Sequence, residues 1–220
     1  MTAIREDFRE ILRLVRPGSR VIDVGCGEGE LLELLTREKG VDGRGVEISP
    51  EGVSACLARG LAVVQGDADH DLDYFPAKAF DYAVLSQTLQ ATRQPRHVLS
   101  ELMRIADRAI VSFPNFGHWR VRWSLVSRGR MPETRALPEP WWSTANIHLC
   151  TLADFLLLTD DLDLRIDACA ALSAGRPARP IDPTKAIENW RSEAALFLLS
   201  RRSETPATEP LPSPGDLFGA

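Results

Sequence analysis

The chain has 220 residues, a formal net charge of −5 and four cysteines. This length suits a single α/β domain, and the acidic balance argues against nucleic acid as a partner. The cysteines are scattered without a C-x-x-C pair, which predicts reduced thiols and a cytoplasmic protein. The N-terminus is charged and no apolar run approaches the roughly 20 residues that span a bilayer. We therefore expect neither a signal peptide nor a membrane anchor.

Helical and strand patterns alternate through the first half of the chain. An amphipathic helix precedes Pro17, because apolar residues recur there at helical spacing. We predict five strands after it, at residues 20–24, 45–48, 62–65, 80–86 and 109–113. Three helices are predicted between these strands, at residues 30–37, 50–59 and 96–105. Such alternation predicts a mostly parallel, doubly wound α/β sheet with helices on both faces.

The composition changes after Pro114. Residues 115–149 are rich in Trp, Arg and Pro, and we predict an insertion there with one short helix at residues 119–127. Its four tryptophans suit either of two roles, packing of the insertion or a cation–π cage around a sulfonium ion. They are Trp119, Trp123, Trp141 and Trp142.

Sequence patterns in the last part of the chain predict the final strands of the sheet and a tail. A capping box at Thr151 and Asp154 predicts a helix at residues 152–159. Two late strands with a proline-rich loop between them complete a seven-stranded sheet, at residues 164–168 and 194–200. We predict one domain over residues 1–202. Residues 203–220 carry four prolines and little apolar content, which predicts a disordered tail.

A glycine-rich turn directly follows the first predicted strand. The segment reads Val21-Ile22-Asp23-Val24-Gly25-Cys26-Gly27-Glu28-Gly29-Glu30. Its G-x-G-x-G spacing differs from the dinucleotide fingerprint G-x-G-x-x-G, since Glu30 stands where the last glycine should be. Glycine lets a ligand lie against the backbone and tolerates positive φ. Pyrophosphate is disfavoured because Asp23 and Glu28 would repel it, whereas an acid near the turn suits an ammonium group.

This turn resembles motif I of the class I S-adenosylmethionine (SAM) methyltransferase fold, a Rossmann-like sheet with a reversed final hairpin. Further polar residues stand at the ends of the predicted strands, where open α/β sheets bind ligands. Glu47 can accept both ribose hydroxyls, and Asp67 stands where such folds hold an acid near the adenine amino group. The expected contacts to SAM, or to its demethylated product S-adenosylhomocysteine (SAH), are Asp23, Gly25, Cys26, Gly27, Gly29, Glu47, Asp67, Ala68, Ser86 and Gln87.

The sequence offers few groups for chemistry at a bound ligand. If a methyl group is transferred, the polar residues that we would place near it are Gln87, Asn115, His118 and His148. None of them stands out as a general base. His118 and His148 lie thirty residues apart without a carboxylate pair, so no metal site is predicted.

Several segments together resemble one family, the methionine-biosynthesis protein MetW. The most specific blocks are Ser86-Gln87-Thr88-Leu89-Gln90 and Phe113-Pro114-Asn115-Phe116-Gly117-His118-Trp119. Two further matching segments are Gly129-Arg130-Met131-Pro132 and Asn146-Ile147-His148-Leu149-Cys150-Thr151. The resemblance covers about residues 5–202. It departs at Ser49, where an acid is expected, and at Ala68, where a leucine is expected. It implies a SAM-binding fold, and homoserine O-acyltransferase as the partner.

Three functions stay open on the sequence. The first is a SAM- or SAH-binding partner and regulator of homoserine O-acyltransferase. The second is a SAM-dependent methyltransferase acting on a small molecule, and the third is an NAD-dependent oxidoreductase, which the missing glycine disfavours. We expect the segment at residues 119–142 to meet a partner, because protein interfaces favour Trp and Arg.

Overall fold

The computed structural model describes residues 5–134 and 136–202. Its eight strands are Arg20–Val24 (β1), Asp42–Glu47 (β2), Val63–Gln65 (β3), Phe80–Ser86 (β4), Ala106–Pro114 (β5), Leu164–Ser173 (β6), Arg176–Pro180 (β7) and Ala194–Arg201 (β8). Its seven α-helices are Glu6–Leu14 (α1), Glu30–Lys39 (α2), Pro50–Ala58 (α3), Pro95–Ile105 (α4), Trp119–Arg128 (α5), Leu152–Asp161 (α6) and Ala186–Arg191 (α7). In these parts of the chain, no helix has the length and apolar character needed to cross a membrane. The expected tail at residues 203–220 lies outside the described residues, and the domain boundary at residue 202 stays a prediction.

All of these strands form one sheet in the order β3-β2-β1-β4-β5-β8-β6-β7. The strands from β1 to β5 pair in parallel. β8 lies between β5 and β6 and is antiparallel to both. The order confirms the predicted doubly wound sheet with a reversed final hairpin.

The sheet has one strand more than the sequence predicts. The prediction of a loop between the last two strands is wrong, because β7 pairs antiparallel with β6 there. β7 includes Pro177 and Pro180, residues that normally indicate a loop. An edge strand tolerates proline because its outer side needs no ladder hydrogen bond.

Side chains of the central strands alternate between two helical layers. On β1, Ile22 and Val24 pack into the core beneath α4 and α6, whereas Val21 packs beneath α1 and α2. This two-residue period is the expected geometry of a strand buried on both faces. Asp23 therefore shares the α1 side of the sheet with Val21.

α6 is fixed against the reversed strand by an aromatic cluster. The ring of Phe155 lies 4.7 Å from Phe113 on β5 and 4.6 Å from Phe197 on β8, between centroids. The predicted capping box at the start of this helix is confirmed. Thr151 Oγ1 accepts the Asp154 N–H, and Asp154 accepts the Thr151 N–H, each at 3.2 Å.

Candidate functional site

The candidate ligand site lies at the carboxyl ends of β1 and β4, where the strand order reverses. Open α/β sheets bind ligands at such switch points. A cavity of about 330 Å³ opens there. Five of the residues expected to bind SAM line this cavity, namely Asp23, Gly25, Cys26, Gly27 and Ser86.

The glycine turn has a backbone that other residues adopt at a cost. Gly25 has a φ of 74° and Gly27 a φ of 56°. A Cβ atom at Gly25 would lie 2.6 Å from Thr88 Cγ2, whereas one at Gly27 would meet no atom within 4 Å among the described residues. Gly25 is therefore needed for packing, and Gly27 leaves open space beside the cavity.

Glu47 holds the turn in place. Its Oε2 accepts the Gly27 N–H at 2.8 Å, and its Oε1 accepts the Ser49 N–H at 2.9 Å. Each carboxylate oxygen has about two lone pairs, so each retains capacity for a ribose hydroxyl. Ser49, where the resemblance predicts an acid, is the N-cap of α3 and accepts the Gly52 N–H through its Oγ at 2.9 Å.

Asp23 is a buried acid beside the turn, with 2% of its surface exposed. Its Oδ1 has no hydrogen-bond partner among the described residues. Burial raises the pKa of this carboxyl group to about 7, against the opposing charge of Arg5, while the charges of Asp7 and Glu47 raise it further. A buried carboxylate without a donor suits a cationic ligand group, so the site fits the ammonium end of SAM.

The other expected contacts lie outside the cavity lining. Gly66 N donates to Glu47 O at 3.0 Å, which brings the end of β3 beside the end of β2. Asp67 follows, and its Oδ1 accepts the Asp69 N–H at 2.9 Å. Ala68 packs against the core beneath α4, and Gly29 is the N-cap of α2.

α1 contributes to the site in a way that the sequence analysis missed. Arg5 directly precedes α1, and both Arg5 and Phe8 line the cavity. Arg5 Nε donates to Asp7 Oδ1 at 3.1 Å, and Nη2 donates to Asp7 Oδ2 at 2.6 Å and to Ser86 Oγ at 3.0 Å. The available signal was Asp7 itself, an acid that shares the apolar face of an amphipathic helix with Ile11.

Asn115, one candidate for chemistry, makes hydrogen bonds that hold backbone together. Its Nδ2 donates to Asn189 O at 2.9 Å and to Ser192 O at 2.8 Å. Its Oδ1 accepts the N–H of Gly117 at 2.8 Å and that of Leu152 at 3.3 Å. The amide group therefore joins the segment after β5 to α6 and to the chain before β8.

The remaining candidates for chemistry do not converge. Gln87 has a left-handed φ of 53° and lines a neighbouring cavity of about 390 Å³. His118 is buried, and burial lowers its pKa against the opposing charge of Glu193. His148 is exposed, with Nε2 3.3 Å from Arg93 O.

The cysteine of the turn is packed as a small apolar group. Cys26 Sγ lies 3.8 Å from Cys56 Sγ, and burial raises the pKa of Cys26 far above the ordinary thiol value. Both cysteines are free. Across the described ranges, no cluster of three or more His, Cys, Asp or Glu side chains is placed to hold a metal ion.

The four tryptophans of the segment at residues 115–149 are between 40% and 72% exposed. They line neither the 330 Å³ cavity nor the buried core. They are therefore not placed to form a cation–π cage in this cavity. Trp141 lines a groove with Phe116 and Leu137 of the insertion, and Trp119 and Trp123 line a second groove with Met131.

Solved structures with this fold include several SAM-dependent methyltransferases. One from Thermotoga maritima, described as a possible histamine N-methyltransferase, aligns over 90% of this chain and 88% of its own, with a TM-score of 0.66 and 16% identity. One from Mesorhizobium loti aligns over 88% of this chain and 95% of its own, with a TM-score of 0.62 and 20% identity. These likenesses show the fold.

Sequence comparison gives the family. The bifunctional methionine biosynthesis protein MetXA/MetW of Rhodopirellula baltica is 35% identical over 170 residues, which are 73% of this chain and 27% of that protein. The chain thus spans about a quarter of that relative's length. The family model described as methionine biosynthesis protein MetW matches residues 5–199. The chain belongs to the MetW family.

Proposed function

We propose that the protein binds SAM or SAH in the cytoplasm and regulates a homoserine O-acyltransferase in methionine biosynthesis. One observation carries this proposal. The chain forms a cavity that fits the ligand, but the candidate residues for chemistry do not lie together at that cavity. Among the described residues, Asp23 and the glycine turn line the cavity, while Asn115, His118 and His148 lie outside its lining. This combination favours ligand sensing over catalysis.

The ligand binds to the residues at the ends of the strands. Its ammonium group pairs with Asp23 beside Gly25 and Gly27, and its ribose hydroxyls bond to Glu47. The adenine lies toward Asp67 and Ala68, and the methyl group, when present, toward Ser86 and Gln87.

Membership of the family and the position of SAM in the pathway support homoserine O-acyltransferase as the partner. The R. baltica relative is named bifunctional, and the matched quarter leaves room in that protein for its second named function. SAM is made from methionine, so a SAM-binding partner of an early enzyme provides feedback. Such a ligand shifts the partner only if it binds the free and complexed protein with different affinity.

An activity assay tests the proposal. Homoserine O-acyltransferase activity is measured with and without this protein over a range of SAM concentrations. We expect the activity to depend on the protein and to change with SAM. A matched Asp23→Ala variant should retain the first effect and lose the second. Equal acyltransferase activity with and without the protein, at every SAM level, would contradict the proposal.

The second candidate function is methyl transfer to a small molecule. The 390 Å³ cavity favours it, because this cavity shares Arg5 with the ligand cavity and has Gln87 in its lining. Methyl transfer from a sulfonium is a displacement that needs mainly alignment, so such a cavity suffices if it holds an acceptor in line. Incubation of the protein with methyl-labelled SAM and a metabolite extract tests this function, and no labelled product would count against it.

A further inference from the structure

The amino-acid end of SAM or SAH carries two opposite charges. A site that binds such a zwitterion needs an acid and a base close together, each with hydrogen-bonding capacity to spare. The 330 Å³ cavity has one buried acid in its lining, Asp23, whose Oδ1 lacks a partner among the described residues. Arg5 lines the same cavity, and its positive charge interacts favourably with the Asp23 carboxylate.

Arg5 is held in one orientation. Its two bonds to Asp7 are bidentate, its guanidinium carbon lies 4.3 Å from the centroid of the Phe8 ring, and Ser86 accepts a further bond. Asp7 is in turn fixed by Ser86 Oγ, which donates to it at 2.7 Å. A planar guanidinium restrained by these contacts is preorganised to bind a carboxylate.

One end of this guanidinium makes no hydrogen bond to the residues that the structure describes. Arg5 has five N–H donors, and the described residues use those of Nε and Nη2. Within residues 5–134 and 136–202, Nη1 makes no hydrogen bond. Among these residues, its two N–H groups are therefore unused donors of a cation in the lining of the ligand cavity.

We propose that Arg5 binds the α-carboxylate of the ligand, while Asp23 binds its α-ammonium group. This inference rests on the proposed function and names the specificity of its site. Arg5 makes the site selective for adenosyl ligands that carry an amino-acid end. 5′-Methylthioadenosine shares the adenosine and the sulfur but lacks both charged groups, so it gains nothing from Arg5. The bound amino-acid end also joins α1 to the glycine turn.

A pair of ligands isolates this contact. SAH and 5′-methylthioadenosine are titrated calorimetrically into the wild-type protein and into Arg5→Gln. We expect Arg5→Gln to weaken SAH binding by about 10- to 100-fold, the usual effect of losing a hydrogen bond to a charged group. Its affinity for 5′-methylthioadenosine should stay within about twofold of wild type. Arg5→Lys keeps the charge without the planar fork and should give an intermediate SAH affinity.

A matched control lies on α1, the helix that Arg5 precedes. Arg9 is half exposed, pairs with Glu6 at 3.5 Å and is not in the cavity lining. Arg9→Gln should leave both affinities unchanged. Thermal unfolding of each variant verifies that Asp7, which keeps its bonds from Ser86 and Phe8, still supports the fold.

Three results would overturn the inference. An unchanged SAH affinity in Arg5→Gln, or an equal loss for both ligands, contradicts it and leaves the proposed function intact. Failure of the wild-type protein to bind either ligand contradicts the proposed function together with the inference.

Discussion

The Glu47 carboxylate accepts the Gly27 N–H at 2.8 Å and thereby joins the end of β2 to the glycine turn after β1. Its second oxygen fixes the Ser49 N–H at the start of α3. One side chain thus positions the turn that lines the cavity and the helix that follows β2. The turn is preorganised, which lowers the entropic cost of ligand binding.

Replacement of Glu47 tests this arrangement. Glu47→Ala leaves two backbone N–H groups without their acceptor, so we expect a loss of about 1–3 kcal/mol in the free energy of unfolding. SAH affinity should fall as well, because Glu47 is the acceptor that we propose for the ribose hydroxyls. Urea unfolding and calorimetry measure the two effects. Glu51→Ala, at an exposed position of α3, is the control, and equal behaviour of the two variants would exclude the role given to Glu47.

Alanine substitutions at two glycines distinguish the effect of backbone strain from the effect of filling space in the ligand cavity. Gly27 and Gly60 both have positive φ, at 56° and 73°, and a Cβ atom at either would meet no described atom within 4 Å. Alanine at either position should cost about 1–2 kcal/mol of stability through the left-handed backbone. Only Gly27→Ala should weaken SAH binding, since Gly27 lines the cavity. A similar loss of affinity in Gly60→Ala would show that strain alone is responsible.

The raised pKa of Asp23 predicts a pH dependence of stability. The folded protein keeps a proton on Asp23 up to about pH 7, whereas the unfolded chain releases it near pH 4. Unfolding is therefore favoured as pH rises through this window, and the stability contributed by the protonated group is lost. Asp23→Asn should lack this fall and gain up to about 4 kcal/mol over wild type at pH 8, at about 1.4 kcal/mol per pKa unit.

Urea unfolding between pH 4 and pH 8 measures the difference between Asp23→Asn and wild type. Asp73→Asn, which replaces an exposed acid, is the control and should follow the wild-type curve. Parallel curves for wild type and Asp23→Asn would contradict the assigned shift. Below pH 7, binding of SAH should release a proton from Asp23 to the solvent, because the ammonium group of SAH favours the ionised carboxylate.

We propose that the acyltransferase binds the segment at residues 119–142, as its Trp and Arg content predicts. Trp123 and Arg130 are exposed and line one open groove beside α5. If they anchor the complex, alanine at each should weaken it by at least about tenfold, the effect of losing an interface hot spot. Sedimentation or calorimetry with the acyltransferase measures this. Tyr74→Ala, at an exposed aromatic residue on the turn Leu72–Tyr74, is the control, and equal affinities for all variants would exclude this surface.

Local signals predict the sheet and the glycine turn because their cause lies within a few residues. The apolar run before Gly25 and the glycine spacing are visible in the chain itself. The role of Arg5 and Asp7 is not, because Asp7 meets Ser86 across 79 residues of sequence. At β7 the local signal is misleading. Its two prolines indicate a loop, but pairing with β6 makes the segment an edge strand.

Calorimetric titration of SAM and SAH into the protein, alone and with homoserine O-acyltransferase, tests the central claim most directly. The account predicts binding to the protein alone and an affinity that changes by at least about fivefold when the partner is present, which is a typical coupling between sites. Binding with the same affinity in both titrations would contradict ligand-coupled regulation. Absence of binding in both would contradict the ligand site itself.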